Sequence, residues 1–226
     1  MNSGGDPFDA VDFDFSRLGE REKYKLLIGA VVPRPIAWVT TVDKAGRVNA
    51  APFSFFNCLS AEPAILALGV EYRPSGFSKD TGRNIRDTQA FTVNIVSGAL
   101  MDAMNVTAVP FDAGVDELAH AGLRTRPGVK VPSPAIAESP AAFECRHHVT
   151  LSIGNSREII LGEVVYAHLH RGIVNERLHV DHVGLDAIGR MGGHGYATTR
   201  DYFELPTMTV EQWEKETRPA SAATAR

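Results

Sequence analysis

Residues 36–60 carry the pattern of a β-hairpin: Ile36-Ala-Trp-Val-Thr-Thr-Val42, then Asp43-Lys-Ala-Gly46, then a second run that ends at Ser60. The first run is rich in β-branched and aromatic residues, which predicts a strand that begins near Ile36, after Pro33 and Pro35. The four residues from Asp43 predict a tight turn in which Gly46 takes a positive φ. The sequence therefore predicts two antiparallel neighbouring strands here.

The second strand of this hairpin is predicted to run over residues 48–60 and to present two unlike faces. Alternation places Ala51, Phe53, Phe55 and Leu59 on one face, which we expect to meet the core. The other face carries small and hydroxyl side chains: Ala50, Pro52, Ser54, Cys58 and Ser60. A face of that kind allows a flat group to approach the backbone closely.

The rest of the chain predicts further short strands and a few short helices. We expect helices over residues 20–28, 78–88, 100–107 and 115–120, with Ser78 as the N-cap of the second. We expect strands over 64–70, 90–96, 142–153 and 158–169, the last two joined by a hairpin turn at Gly154-Asn155. The prolines of residues 125–140 predict a surface loop. The predicted fold class is mainly β, a closed antiparallel barrel with a few short peripheral helices.

The predicted organisation is an acidic arm (1–19), one domain (20–205) and a partly disordered C-terminal tail (206–226). The first 15 residues contain no apolar signal segment, and no apolar run approaches the length needed to cross a bilayer, so we expect a cytoplasmic protein without membrane contact. The net charge of −4 argues against nucleic acid as a partner. Cys58 and Cys145 form no CxxC pair.

The stretch Ser78-Lys-Asp-Thr-Gly-Arg-Asn84 opens a predicted helix between two strands. The N-terminus of a helix offers unpaired N–H groups and partial positive charge, and Lys79 and two hydroxyls add further donors. This set suits a phosphate group, although composition alone is explained more simply by an ordinary capped helix. No GxGxxG motif follows a strand, so a Rossmann nucleotide site is not predicted.

The histidines predict no metal site and no catalytic pair. His147 falls on an apolar strand face, so it must find a hydrogen bond, either within the core or as a lining of a pocket. The spacings of His168, His170, His179 and His182 match no zinc signature. No catalytic residue is assigned from the sequence.

An ordered set of motifs resembles the flavin reductase-like family of FMN-binding split barrels. The motifs are Pro33-Arg-Pro-Ile-Ala-Trp-Val-Thr-Thr41, Asn49-Ala-Ala-Pro-Phe-Ser-Phe-Phe-Asn57, Lys79-Asp-Thr-x-x-Asn84, Ala90-Phe-Thr-Val-Asn-Ile-Val96, Glu138-Ser-Pro-x-x-x-Glu-Cys145 and Gly189-Arg-x-Gly-Gly-x-Gly-Tyr196. The resemblance implies a Greek-key-like antiparallel split β-barrel. It also implies a homodimer that holds FMN near the subunit interface.

The resemblance also assigns the cofactor-binding residues. Those expected around the flavin ring and ribityl chain are Trp38, Thr40, Thr41, Ala51, Pro52, Ser54, Asn57, Leu59 and Ser60, and those expected at the phosphate are Ser78, Lys79, Thr81 and Asn84. Trp38 is equally open to a role in the core. His194 lies among three glycines, in a loop that we expect to cover the flavin.

The implied activity is an NAD(P)H-dependent flavin reductase, in which NADH or NADPH reduces FMN and the reduced flavin serves a partner monooxygenase. Three further functions are compatible with the same barrel: a bound-FMN electron carrier, a ferric reductase, and a non-catalytic flavin- or haem-binding protein.

Overall fold

A computed structural model describes residues 10–217 except 74, 75, 77, 112 and 113. Within the predicted acidic arm, residues 10–19 form no helix or strand, and residues 1–9 lie outside the described part of the chain. No helix among the described residues is long and apolar enough to span a membrane.

Among the described residues, the chain forms one helix, then five strands, then a second helix. Further strands and helices follow in irregular order. The strands are β1 (Arg34–Pro35), β2 (Ala37–Val42), β3 (Val48–Phe53), β4 (Phe56–Ala61), β5 (Ala64–Glu71), β6 (Ala90–Ile95), β7 (Thr125–Arg126), β8 (Ala135–Ile136), β9 (Ala141–Ile153), β10 (Arg157–Leu169), β11 (Ile188–Arg190) and β12 (Tyr196–Thr198). The α-helices are α1 (Glu20–Ala30), α2 (Asp80–Thr88), α3 (Met101–Val106), α4 (Glu117–His120), α5 (His182–Leu185) and α6 (Val210–Thr217).

Seven strands form one antiparallel sheet in the order β3-β2-β6-β9-β10-β5-β4. The sheet curls until β3, at one edge, contacts β5, which lies next to the other edge. The result is an incomplete barrel, not a closed one, as the resemblance to split barrels implies, and its gap leaves β3 and β4 as edge strands. A smaller sheet of β1, β11 and β12 lies beside it.

Both predicted hairpins are confirmed. β2 pairs with β3 through the turn at Asp43, where Gly46 has φ +79°. β9 and β10 pair along their whole length and meet at a turn that contains Gly154, with φ +54°. These positive φ values cost glycine nothing, and this explains why the local sequence was sufficient to predict both turns.

Two apolar clusters cover the two faces of β2. Ala37 and Val39 pack in the barrel interior with Leu68, whereas Trp38 packs on the outer side with Met104 and other residues of the surrounding helices. β2 is therefore buried on both faces, which is typical of a central strand under a layer of helices. This arrangement determines which of its side chains can reach a ligand.

Three local predictions were wrong. The strand predicted over 48–60 is broken at Ser54 and Phe55, where β3 ends and β4 leaves for the other edge of the sheet. Leu59, expected in the core, is 60% exposed, because β4 is an edge strand. The proline-rich segment 125–140 is not a surface loop along its whole length, since Val131, Ser133 and residues 134–136 are buried.

The tail predicted to be partly disordered contains helix α6, and residues 218–226 lie outside the described part of the chain. The segment between β12 and α6 has no regular structure and exposes several large apolar side chains: Tyr202, Phe203, Leu205 and Met208.

Candidate cofactor site

A cavity of about 1250 Å³ opens at the β3 edge of the barrel. It is bounded by β3, by the start of α2, by the loop that follows α3, by α4 and by the chain after β5. The lining residues used below are Asn49, Ala51, Pro52, Lys79, Asp80, Thr81 and Glu117. A cavity of this size is large enough to bury most of a cofactor-sized ligand.

The N-terminus of α2 lies in the wall of this cavity without a capping side chain. Lys79, not Ser78, is the N-cap residue, and it makes no side-chain cap hydrogen bond. The first N–H groups of an α-helix have no partner within the helix, so those that follow Lys79 are available to a ligand. Lys79 itself lines the cavity, with its Nζ 3.7 Å from Glu71 Oε2. The prediction that this segment offers donors to an anion therefore fits the geometry.

Ser78 has a structural role instead. Its Oγ donates to Glu158 Oε1 at 2.7 Å, and Arg86, one turn further along α2, donates to the other oxygen of the same carboxylate. Glu158 is 2% exposed, and these two hydrogen bonds hold α2 to its carboxylate. Gly82 is required in that turn, since a Cβ there would lie 2.0 Å from Glu158 Oε1.

Polar side chains continue from the cavity into the barrel wall. Asn49 Nδ2 donates to Thr81 Oγ1 at 3.3 Å, and both residues line the cavity. Beneath them Asn84 Nδ2 donates to Thr41 Oγ1 at 3.1 Å. Thr41 and Asn84 are buried and do not line the cavity, whereas Thr81, which is 1% exposed, lies in its wall. Asn84 Oδ1 is buried and has no hydrogen-bond partner among the described residues.

Trp38 and Thr40 are core residues. Trp38 is completely buried, and its Nε1 donates to Thr107 Oγ1 at 2.9 Å. Thr40 is also completely buried, and its Oγ1 donates to the carbonyl oxygen of Pro134. Neither side chain reaches the cavity, which corrects the expectation that they line it. Ala51 and Pro52, which precede the end of β3, do line it.

A second, smaller cavity of about 310 Å³ lies at the break between β3 and β4 and contains Ser54 and Asn57. Leu59 and Ser60 lie further along β4 and line neither cavity. In one chain, the residues expected at the ring are thus divided among the larger cavity, the smaller cavity and the edge strand β4.

Arg34 borders the smaller cavity, but its guanidinium group is hydrogen-bonded to backbone carbonyl oxygens. Its Nη1 donates to the carbonyl oxygens of Ile28, at 2.6 Å, and Val31, and its Nη2 donates to that of Met191 at 3.0 Å. The side chain is 7% exposed. Arg34 therefore ties the end of α1 to the loop between β11 and β12, and it is neither an anion ligand nor a solvated edge residue.

Among the described residues, no histidine lines the larger cavity, although His120 is stacked on the lining residue Phe111. His194 is exposed in the loop between β11 and β12 and lines neither cavity. His147 is hydrogen-bonded through both ring nitrogens, to Gln89 Oε1 at 3.0 Å and to Thr150 Oγ1 at 2.8 Å. His147 therefore has satisfied hydrogen bonds and lines neither of the two cavities.

Glu117 is a cavity residue that the sequence analysis did not identify. Its Oε2 accepts the backbone N–H of Ala50, on the edge strand β3, at 3.2 Å. Burial raises the pKa of Glu117, and the nearby carboxylates of Asp116 and Asp80 raise it further. No local sequence signal marks this residue, because its partner lies 67 positions earlier in the chain.

The residues present fit a flavin mononucleotide. The uncapped N-terminus of α2, Lys79 and Thr81 offer donors for a phosphate, and the small residues of β3 beside them leave the backbone open to a flat ring. An open antiparallel barrel of this kind is a split barrel, the fold that similar solved structures share.

The family follows from the sequence comparison. The profile of the flavin reductase like domain matches residues 29–185, and the chain belongs to this family. It is therefore a flavin oxidoreductase by family.

The chain is also similar over most of its length to other known proteins. An uncharacterized protein of Deinococcus radiodurans is 44% identical over 211 residues, which cover 90% of this chain and 92% of that protein. The crystal structure of nitrilotriacetate monooxygenase component B from Bacillus cereus is 29% identical with a TM-score of 0.82, over 87% of this chain and 98% of that one. The 2-nitrobenzoate 2-nitroreductase NbaA of Pseudomonas fluorescens is 30% identical with a TM-score of 0.80, over 88% and 98%.

Proposed function

We propose that this chain is an NAD(P)H:flavin oxidoreductase that binds FMN in the larger cavity. The observation that carries the proposal is the uncapped N-terminus of α2, which opens with Lys79 and Thr81 into the same cavity as β3. A phosphate monoester carries close to two negative charges at neutral pH, and a helix N-terminus with a lysine stabilises such a group.

In this proposal the chain's own residues hold and orient the cofactor. Lys79, Thr81 and the first N–H groups of α2 bind the phosphate, with Asn49 beside them. The hydrogen bond of Asn84 to Thr41 joins α2 to β2, and the hydrogen bond of Ser78 to Glu158 joins the start of the helix to β10. Ala51 and Pro52 leave the β3 backbone accessible to the ring.

The ring is proposed to extend along the strand edge beyond β3, where Ser54, Asn57, Leu59 and Ser60 are at least partly exposed. When it is bound, FMN supplies the acceptance of a hydride from NADH or NADPH and the onward delivery of electrons. The protein then needs to bind, orient and exclude water, and this chemistry requires no acid–base pair from the chain. His194 is proposed to cover the ring from the partner subunit.

We propose that the chain works as a homodimer. The far end of the β9–β10 hairpin exposes Val149, Leu151 and Ile153, with Leu151 and Ile153 each 48% exposed. Apolar residues grouped on one sheet face favour association with another protein surface. The ring-binding edge is open in a single chain, so a second subunit would complete it.

The similarity to a monooxygenase component supports delivery of reduced flavin to a separate monooxygenase, which we propose as the physiological acceptor. The similarity to a nitroreductase favours a second candidate, direct reduction of a small nitroaromatic compound at the bound cofactor. A bound electron carrier, a ferric reductase and a non-catalytic flavin- or haem-binding protein compete with both. We place the activity in the cytoplasm, where Cys58 and Cys145, which are free, would stay reduced.

The first experiment is an absorbance spectrum of the purified protein after addition of FMN, before and after anaerobic NADH or NADPH. The proposal expects an oxidised flavin band near roughly 450 nm that nucleotide bleaches, because the cofactor carries the hydride chemistry. A band that neither nucleotide bleaches would favour the electron carrier or the binding protein, and absence of FMN binding would contradict the proposed function. Bleached enzyme is then mixed with 2-nitrobenzoate, whose reduction without free flavin would favour the second candidate.

A further inference from the structure

The carboxyl group of Glu117 shares a cavity wall with the proposed phosphate-binding donors. Its Oε2 accepts the N–H of Ala50, and the neighbouring Asn49 donates to Thr81 in the first turn of α2. The two hydrogen bonds place a carboxyl group and the donors for an anion along one stretch of β3. An ionised carboxylate so close to a bound phosphate would repel it.

Charge at the start of α2 already acts on Glu117. Burial is the main cause that raises the pKa of Glu117, and Asp80, the first residue of α2, raises it further, as does Asp116 beside it. A phosphate held at the same helix start would act in the same direction and with more charge, since it carries close to two negative charges at neutral pH. Glu117 would then be easier to protonate with the phosphate present than without it.

Arg47, Arg73 and Lys79 lie beside other carboxylates, and no cation contacts Glu117 directly in the described part of the chain. Arg73 pairs with Asp80, and Lys79 lies 3.7 Å from Glu71. Glu20 lines the cavity from the start of α1. Arg47, beside the loop that leads into α4, pairs with Asp43. His120 of α4 is stacked on Phe111, with ring centroids 5.2 Å apart.

We propose that Glu117 takes up a proton from solvent when FMN binds, and that this uptake makes FMN retention depend on pH. The inference rests on the proposed function, because it assumes that the phosphate lies at α2. Protonation removes the repulsion, and the neutral carboxyl can still accept the Ala50 N–H. FMN therefore binds more weakly as the pH rises, because the FMN-bound protein must hold a proton on Glu117 that is harder to take up at higher pH. Glu117 thus governs whether the cofactor stays bound or exchanges.

The test compares wild type with Glu117→Gln and FMN with riboflavin, which lacks the phosphate. The glutamine is neutral at every pH, and its carbonyl oxygen can still accept the Ala50 N–H. Dissociation constants are measured by fluorescence quenching between pH 6 and 8.5. Proton uptake is measured by calorimetry in two phosphate-free buffers that differ in ionisation enthalpy. Glu20→Gln is the matched control, since it removes a carboxylate from the same cavity wall without contact to Ala50.

We expect Glu117→Gln to bind FMN about tenfold more tightly than wild type at pH 8, a change that corresponds to removal of one screened repulsion. The difference should shrink toward pH 6, and riboflavin should bind both proteins equally. Wild type should take up more protons than Glu117→Gln on binding FMN, and Glu20→Gln should behave as wild type.

Equal proton uptake by wild type and Glu117→Gln, with FMN bound to both, would overturn this inference and leave the proposed function intact. An equal gain for riboflavin and FMN would also overturn it, since the effect would then not involve the phosphate. Failure of wild type to bind FMN would overturn the proposed function itself.

Discussion

At the scale of single residues, Lys79 combines two properties that rarely occur together at a helix start. It occupies the N-cap position of α2, where serine, threonine, asparagine or aspartate is usual, and so leaves the first N–H groups free. Its ammonium group lines the cavity. Lysine at this N-cap contributes little to the stability of the helix, but it favours the binding of an anion.

Replacement of Lys79 by methionine should weaken FMN binding about tenfold, because it removes one charge-assisted hydrogen bond to the phosphate. Riboflavin affinity should change by less than about twofold. Titration of both ligands by fluorescence quenching measures the effect. Lys44→Met is the matched control, since Lys44 pairs with Asp87 on the surface and lines neither cavity. Equal losses for FMN and riboflavin would contradict the phosphate assignment of Lys79.

Trp38 is a test of core against cofactor contact. Trp38→Phe removes the hydrogen bond to Thr107 and leaves a small void, so we expect a loss of about 1–3 kcal/mol in the free energy of unfolding. FMN affinity should stay within about threefold, because the indole does not reach the cavity. Urea denaturation and a flavin titration measure the two quantities. A large loss of FMN affinity at unchanged stability would show that the indole contacts the cofactor.

At the scale of elements, the proline-rich segment before β9 is held by a buried carboxylate. Glu144 of β9 accepts the backbone N–H groups of Val129, Lys130 and Val131, and it is hydrogen-bonded to His168 of β10 at 2.7 Å. Glu144 is completely buried. Burial by itself would raise the pKa of Glu144, but these hydrogen bonds outweigh it and lower the pKa below the ordinary value.

Glu144→Gln should therefore destabilise the fold by about 2–4 kcal/mol at pH 7, because an amide NH₂ would replace an acceptor among three N–H donors. The folded protein has the lower pKa, so the stability from Glu144 is present above the ordinary pKa of 4.5 and is lost as the pH falls through the folded value. The difference in the free energy of unfolding between Glu144→Gln and wild type should thus become smaller below that pH. Calorimetric melting temperatures from pH 3 to 7 measure it.

Glu176→Gln, on an exposed loop, is the control and should change stability by less than about 0.5 kcal/mol at each pH. A gap between Glu144→Gln and wild type that is constant down to pH 3 would show that the carboxylate does not titrate with folding.

At the scale of the whole molecule, the barrel leaves both the strand edge proposed to bind the ring and the end of the β9–β10 hairpin open to solvent. The exposed apolar residues there agree with a subunit interface. The proposed cofactor site would then have a phosphate half inside one chain and a ring half completed by another.

Sedimentation should therefore show a particle of twice the chain mass, and Leu151→Asp should dissociate it, because a charge would be buried without a partner. The dissociated chain should bind FMN less tightly than the dimer. Leu178→Asp is the control, since Leu178 is 82% exposed on a different loop and should leave the dimer intact. A wild-type monomer that binds FMN fully would contradict the shared site.

The amino-acid sequence was sufficient to predict the hairpins, the class of fold, the family and a helix over residues 78–88, although the N-cap of that helix is Lys79 and not Ser78. These features depend on local patterns: alternation along a strand, a glycine at a positive φ, donors at the start of a helix. Their physical causes lie within a few residues of one another, so they can be predicted from neighbouring positions. The predicted donors Lys79 and Thr81 do line one cavity together with Ala51 and Pro52.

The accessibility of the predicted residues became known only from the three-dimensional structure, as did the presence of an unpredicted residue in the cavity. Trp38 and Thr40 became core residues because helices cover the outer face of β2, and Leu59 became exposed because β4 is an edge strand. Glu117 entered the cavity because α4 packs on β3, far from it in the chain. Burial and long-range contacts depend on how the elements pack, and local sequence preferences carry no information about that packing.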